Sequence, residues 1–86
     1  ATIRSANGTF EDSVRVGRTA PGTVSVSGWW TAYDVNNREV GHDVCSTKTA
    51  LYRDSFTGPF ACHGNAASAT RFEVTYSASA PGTLAR

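Results

Sequence analysis

The sequence predicts an all-β fold, and three features of its 86 residues indicate it. Short runs rich in Val, Thr, Ser and aromatic residues alternate polar and apolar positions, as strands do. Gly, Pro and Asn separate these runs and are typical of turns. Cys45 and Cys62 are the only cysteines. We therefore expect a small antiparallel β-sandwich of about six to seven short strands, cross-linked by one disulfide, in a single extracellular domain over residues 1–86.

The first half of the chain contains the longest predicted strand. The run Thr9–Val16 is poor in apolar residues, which leaves Val14 and Val16 as its inward-facing candidates. A Pro-Gly pair within Ala20–Gly22 then predicts a type II turn. The next run, Thr23–Val35, is long, apolar on alternate positions and rich in aromatic residues. We expect it to be the central strand of a sheet.

A hairpin should follow this strand. Asn36-Asn37 tolerates the positive φ that a tight hairpin turn demands, so the chain is expected to return along Arg38–Cys45. The next segment, Ser46–Asp54, is the one stretch that a helix could occupy, with Ser46 as its cap. Its two threonines and one tyrosine favour a strand instead.

The second half should contain two further strands. Gly58–Cys62 predicts a short strand, and Gly64–Ser68 predicts a loop. Ala69–Ser79 then alternates regularly, which predicts a half-buried strand of an antiparallel sheet. The segment Ala80–Thr83 resembles the earlier Pro-Gly turn, and we expect Leu84 after it to cover the edge of the core. The residues predicted to face the core from the alternating strand are Thr70, Phe72, Val74, Tyr76 and Ala78.

The two cysteines indicate both a cross-link and a compartment. An even cysteine number without metal-ligand spacing predicts a Cys45–Cys62 disulfide, and two buried thiols in a cytosolic protein are the alternative. The closed loop of about 18 residues would contribute on the order of 3 kcal/mol to stability. Together with the start at Ala1, which suggests a processed N-terminus, the disulfide favours secretion.

Charge and composition argue against several classes of function. Eight basic and seven acidic residues are scattered along the chain and give a net charge of +1. A nucleic acid would need a basic surface, and a membrane would need a basic surface or a long apolar segment. The sequence indicates neither feature, so we expect neither partner. Phosphate-loop and dinucleotide-binding fingerprints are missing from the sequence, and no cofactor is expected.

The pair Trp29-Trp30 is the most informative motif for function. Neighbours on a strand point to opposite faces, so both indoles cannot enter the same core layer. If the alternation of the preceding valines continues, Trp30 is buried and Trp29 shares the other face with Tyr33, about 13 Å away. A bulge at Gly28 would reverse this assignment. One indole then needs a second cover, which a loop of this chain, another chain or a ligand would supply.

Candidate catalytic and metal-binding residues lack a diagnostic spacing. His42 or His63 could act as a general acid or base with a carboxylate such as Glu39, but no motif singles them out. His42, Asp43, Cys45 and His63 carry suitable ligand atoms for a metal, yet they do not match a known metal-binding pattern. We therefore assign no catalytic and no metal-binding residue.

Four segments resemble transthyretin-like and carboxypeptidase regulatory-like β-sandwich domains. These are Val24–Gly28, Ala50–Asp54, Gly58–Cys62 and Arg71–Tyr76, in the order of the corresponding strands of those domains. The resemblance covers residues 23–79. It implies a sandwich that serves as a structural or partner-binding module, without chemistry of its own.

Three functional hypotheses follow. The first is a non-catalytic secreted module that binds a protein or a carbohydrate through an aromatic hairpin surface. The second is a small secreted enzyme inhibitor or toxin-like effector with a rigid exposed loop at Tyr52–Pro59 or Cys62–Ser68. The third is a small secreted hydrolase, such as a ribonuclease, that uses His42 or His63. For the first hypothesis, the expected ligand-binding residues are Trp29, Trp30 and Tyr33.

Overall fold

The computed structural model describes residues 1–18, 22–45, 48–52, 56–78 and 82–85, with side chains described at 1–17, 25–45 and 59–78. The described residues form two antiparallel sheets and contain no helix, which confirms the predicted all-β sandwich. Within them, no helical segment has the length and apolar character needed to cross a membrane. The strands are β1 Thr2–Arg4, β2 Thr9–Arg18, β3 Gly22–Tyr33, β4 Glu39–Val44, β5 Lys48–Tyr52, β6 Phe56–Asn65, β7 Arg71–Ala78 and β8 Gly82–Ala85.

The first sheet has five strands, and the second has three. In the first sheet, β7 lies between β1 and β3. The other edge of β3 pairs with β4 over Trp29–Tyr33 and with β5 over Gly22–Val26. In the second sheet, β2 lies between β6 and β8. The twelve-residue length of β3 allows two successive strands to share one of its edges.

Most of the predicted strands are confirmed, although the described residues form eight strands rather than six or seven. The predicted central strand, its hairpin partner and the alternating strand form β3, β4 and β7. The two short strands β1 and β8 were missed because they have too few residues for a periodic pattern. Gly82 and Thr83, which the sequence assigned to a turn, begin β8. Most of the turn predicted at Ala20–Gly22, and the side chain of Leu84, lie outside the described residues.

The prediction for β6 was wrong in length. The sequence predicted a strand limited to Gly58–Cys62 and a loop at Gly64–Ser68, whereas β6 spans Phe56–Asn65 and pairs with β2 throughout. Packing, rather than a turn, explains why residue 64 of this strand is a glycine. A Cβ added there would lie 2.6–2.8 Å from three atoms of the Trp30 indole. A glycine that makes room for a ring across the core looks, in the sequence, like a turn residue.

The turn of the β3–β4 hairpin is held by Asp34. Its N–H donates to the carbonyl of Arg38, and its carbonyl accepts from the N–H of Asn37. Its carboxylate Oδ1 accepts from the N–H groups of Asn36 and Arg38 at 2.9 and 3.0 Å. Asn37 has a φ of 63°, which asparagine tolerates better than most residues. These contacts confirm the predicted Asn-Asn hairpin.

The core between the sheets is built around Trp30. Its indole is 6% exposed and meets the rings of Phe10 and Phe72 edge-on, at centroid distances of 5.9 and 5.5 Å. The predicted inward positions of β7 are confirmed except for Thr70, which precedes the strand and is exposed. The buried apolar residues are Phe10, Val14, Val16, Val26, Trp30, Ala32, Cys45, Phe60, Cys62, Ala69, Phe72 and Val74.

The predicted disulfide joins Cys45 to Cys62 and links the two sheets. Cys45 directly follows β4 in the first sheet, and Cys62 lies in β6 of the second. The N–H of Cys45 donates to the carbonyl of Gly28 at 2.7 Å. A Cβ at Gly28 would lie 3.1 Å from the Cys45 Sγ, so the glycine leaves the space that the bridge occupies.

Candidate functional site

The direction of each side chain on β3 decides which tryptophan is accessible. β3 pairs with β7 without interruption from Val26 to Tyr33, so there is no bulge at Gly28. Alternation therefore continues along the strand. It buries Trp30 and leaves Trp29 44% exposed on the opposite face. The register shift of this strand occurs later, against β4, between Ala32 and Tyr33. Trp30, one of the predicted ligand-binding residues, thus contributes core packing rather than accessible surface.

Trp29 is accompanied on the outer face of the first sheet by Val44 of β4, which lies directly opposite. The Cys45–Gly28 hydrogen bond shows that the neighbouring Trp29–Val44 pair is of the non-hydrogen-bonded kind, in which side chains approach most closely. Val44 is 72% exposed. We call these two side chains the Trp29 patch. A shallow depression of about 540 Å³ adjoins it, lined partly by Thr31 and His42.

Val44 was missed as a site residue, although a signal for it existed. A two-residue turn at Asn36-Asn37 would place residues opposite each other when their numbers add up to 73, which pairs Trp29 with Val44. In the structure a three-residue loop between Asp34 and Arg38 closes the hairpin, and the register shift between Ala32 and Tyr33 restores the same sum from Trp29 to Ala32. The predicted hairpin therefore already contained the apolar partner of the exposed indole.

The ring of Tyr33 is covered by Arg71 of β7. The guanidinium carbon lies 4.5 Å from the ring centroid, a cation–π arrangement. Arg71 is held there because its Nη2 donates to Asn37 Oδ1 at 2.6 Å and its Nε lies 3.3 Å from Glu73 Oε1. Of the three aromatic residues predicted to bind a ligand, Trp29 alone presents an open ring.

The two histidines lie on opposite outer faces of the sandwich. His42 pairs with Thr31 on the first sheet, and its Nδ1 is 3.8 Å from Glu39 Oε2. His63 pairs with Glu11 on the second sheet. The core separates the two imidazoles, so an acid–base pair could combine one histidine with a carboxylate but could not combine both histidines.

The residues considered as metal ligands are not brought together. Cys45 is held in the disulfide, and His63 lies on the second sheet, away from His42 and Asp43. More generally, no group of three or more His, Cys, Asp or Glu side chains in the described part of the chain is arranged to hold a metal ion.

The unequal burial of the two indoles predicts two classes of tryptophan fluorescence. We expect acrylamide to quench a red-shifted component from Trp29 efficiently, and a blue-shifted component from Trp30 weakly. In Trp29→Phe, the efficiently quenched component should disappear, and the remaining emission should shift to the blue. Equal quenching of both tryptophans in the native protein would contradict this assignment.

Comparison with protein-family models, with curated proteins and with solved structures finds no match. The resemblance to transthyretin-like sandwiches stays a prediction.

Proposed function

We propose that this domain is an extracellular, non-catalytic module that binds a protein partner through the Trp29 patch. The observation that carries the proposal is an indole left 44% exposed beside a valine left 72% exposed, on a sheet face whose other described side chains, apart from Tyr33, are polar. Tryptophan is among the residues that contribute most to binding energy at protein interfaces, and a polar rim around it excludes water. Thr31, His42 and Thr75 would form part of this rim.

A protein fits this surface better than a carbohydrate. A sugar chain would stack on successive open rings, which is the arrangement expected for Trp29 and Tyr33 if both rings were bare. The Arg71 guanidinium occupies the face of Tyr33 instead, and its contacts to Asn37 and Glu73 hold it there. One open ring with an aliphatic neighbour suits an apolar side chain of a partner protein.

The disulfide supports the extracellular part of the proposal, because such bonds persist in oxidising compartments. The inhibitor hypothesis is a special case of protein binding in which the partner is an enzyme. The loops predicted for it, Tyr52–Pro59 and Cys62–Ser68, overlap β6 over much of their length. An inhibitory contact would therefore use the Trp29 patch rather than a long loop.

The experiment is an affinity capture with matched variants. The domain, Trp29→Ala and Val35→Ser would each be immobilised and exposed to the proteins secreted by the native host, and captured proteins would be identified by mass spectrometry. Val35 is the matched control because it is 82% exposed and apolar but lies in the hairpin turn. A true partner should be retained by Val35→Ser and lost by Trp29→Ala.

Calorimetry with the purified partner then measures the effect. Loss of an interfacial tryptophan of this kind should weaken binding by about 30-fold or more. Val44→Ser should weaken it too, and Val35→Ser should leave it unchanged. A partner that binds Trp29→Ala as tightly as the native domain would overturn the proposal. Binding on a glycan array that Trp29→Ala abolishes would assign the patch to a carbohydrate instead.

A further inference from the structure

The loop between β1 and β2 contains an acceptor sequence for asparagine-linked glycosylation. Such a sequence consists of Asn, any residue except Pro, and then Ser or Thr. Asn7-Gly8-Thr9 fits this rule, whereas Asn36, Asn37 and Asn65 are not followed by Ser or Thr at the second position. Because the motif is short, its placement in the fold decides whether a glycan can be carried there.

Asn7 lies on the surface, in a bend between the two strands. Its side chain is exposed, and so is that of the preceding Ala6. Gly8 continues the bend with a φ of 77°, and a Cβ there would lie 2.8 Å from the carbonyl oxygen of Ala66. The glycine thus lets the loop pass close to Ala66 while Asn7 stays in solvent, which leaves room for a large attached group.

Hydrogen bonds fix the orientation of the Asn7 carboxamide. Its Oδ1 accepts from the Thr9 hydroxyl at 2.7 Å and from the Thr9 N–H at 3.2 Å, and Ser5 Oγ lies 3.3 Å from the same oxygen. An N–H can only donate, so the carboxamide atom that faces the Thr9 nitrogen is the oxygen. The amide nitrogen Nδ2 therefore points the other way, and it makes no hydrogen bond within the described part of the chain. This nitrogen is the atom to which a glycan is attached.

A polar depression adjoins the loop, where the outer face of the second sheet meets β1. It has a volume of about 610 Å³ and is lined partly by Arg4, Thr9, His63 and Asn65. All four side chains are exposed and carry groups that can form hydrogen bonds with a sugar. Because Thr9 belongs both to the acceptor sequence and to the depression, the first sugar on Asn7 has a polar surface beside it.

We propose that Asn7 is glycosylated at Nδ2 during secretion, with an oligosaccharide on a polyprenyl diphosphate as the donor. Nδ2 attacks the anomeric carbon of the first sugar, and a nitrogen–carbon bond forms. The bond between that carbon and the diphosphate oxygen breaks, and the diphosphate leaves with the electron pair. One amide proton passes to a base of the transferring enzyme. The proposal rests on the extracellular location proposed above and is independent of the Trp29 patch.

The experiment is mass spectrometry of the protein purified from the culture medium of its native host. The intact mass should exceed that of the disulfide-bonded chain by the mass of several sugar residues. Trypsin cleaves after Arg4 and Arg15, and the peptide between these two sites should carry the whole increase. An amidase that releases asparagine-linked glycans should remove the increase and convert Asn7 to Asp.

Three variants, expressed in the native host, separate glycosylation from the structural role of the bend. Asn7→Asp keeps an oxygen that accepts from Thr9 but has no Nδ2, so it should fold and carry no glycan. Thr9→Val removes the hydroxyl that the acceptor sequence requires and should also lose the glycan. Thr9→Ser keeps the hydroxyl and should retain the glycan. Circular dichroism checks folding, and if Thr9→Val does not fold, Thr9→Ser and Asn7→Asp form the comparison.

The outcomes distinguish this proposal from the protein-binding function. Secreted protein with a bare Asn7 would overturn glycosylation alone, and so would a mass increase that Thr9→Val retains, because the sugar would then be attached elsewhere. Protein retained in the cytosol would contradict the extracellular location on which both proposals rest. Asn7→Asp should capture the same partner as the native domain, because Asn7 precedes the second sheet and Trp29 lies on the first.

Discussion

Replacement of Trp30 by alanine is expected to lower the free energy of unfolding by about 3–5 kcal/mol, the range for removal of a large buried aromatic side chain. Trp30 is 6% exposed and contacts both sheets. Gly64→Ala should also lower the free energy of unfolding, by about 1–3 kcal/mol. Here the cause is overpacking rather than a cavity, because the added methyl group would lie 2.6–2.8 Å from atoms of the indole. Urea unfolding followed by circular dichroism measures both effects without relying on tryptophan emission.

The double variant Trp30→Ala/Gly64→Ala shows whether the two effects share one cause. Its destabilisation should be smaller than the sum of the single effects by about 0.5–3 kcal/mol, because the added methyl group occupies space that the indole vacates. Trp29→Ala is the matched control and should lower the free energy of unfolding by about 1 kcal/mol or less. Additive effects, or equal costs for the two tryptophan replacements, would contradict the packing described around Trp30.

Removal of the disulfide should destabilise the domain by about 3 kcal/mol, within the range of about 2–5 kcal/mol for small secreted domains. The bridge closes a loop between residues 17 positions apart and links the two sheets of a thin core. In a chain of this length, 3 kcal/mol corresponds to a fall in Tm of about 12–24 °C. Calorimetry of the native protein with and without reductant measures the shift.

The double variant Cys45→Ala/Cys62→Ala separates the bond from side effects of the reductant. Its Tm should match that of the reduced native protein, and reductant should not change it further. A native protein whose Tm is insensitive to complete reduction would show that the cross-link contributes nothing to stability.

The sequence predicted those parts of the fold that depend on neighbouring residues. The alternation along β7 and the Asn-Asn turn are local patterns, and both are confirmed. The extent of β6 could not be predicted, because pairing with β2 over ten residues maintains strand structure through Gly58 and Gly64. Its length is set by a partner some fifty residues earlier in the chain rather than by its own composition.

The candidate site was predicted in part. Trp29 was named, and its exposure follows once Gly28 is known to lie in a regular strand. The choice between Trp29 and Trp30 depended on the pairing of β3 with β7, which the sequence leaves open. The covering of Tyr33 by Arg71 depended on the same pairing.

By itself, the sequence determined that this chain forms strands, where its central hairpin turns and that its two cysteines pair. These properties follow from side-chain alternation, from the φ preference of asparagine and from the presence of one possible sulfur partner. The tertiary structure alone decided which indole faces solvent and why Gly64 carries no side chain. Each of these depends on the register between strands far apart in the chain, and a shift of one residue would reverse every face.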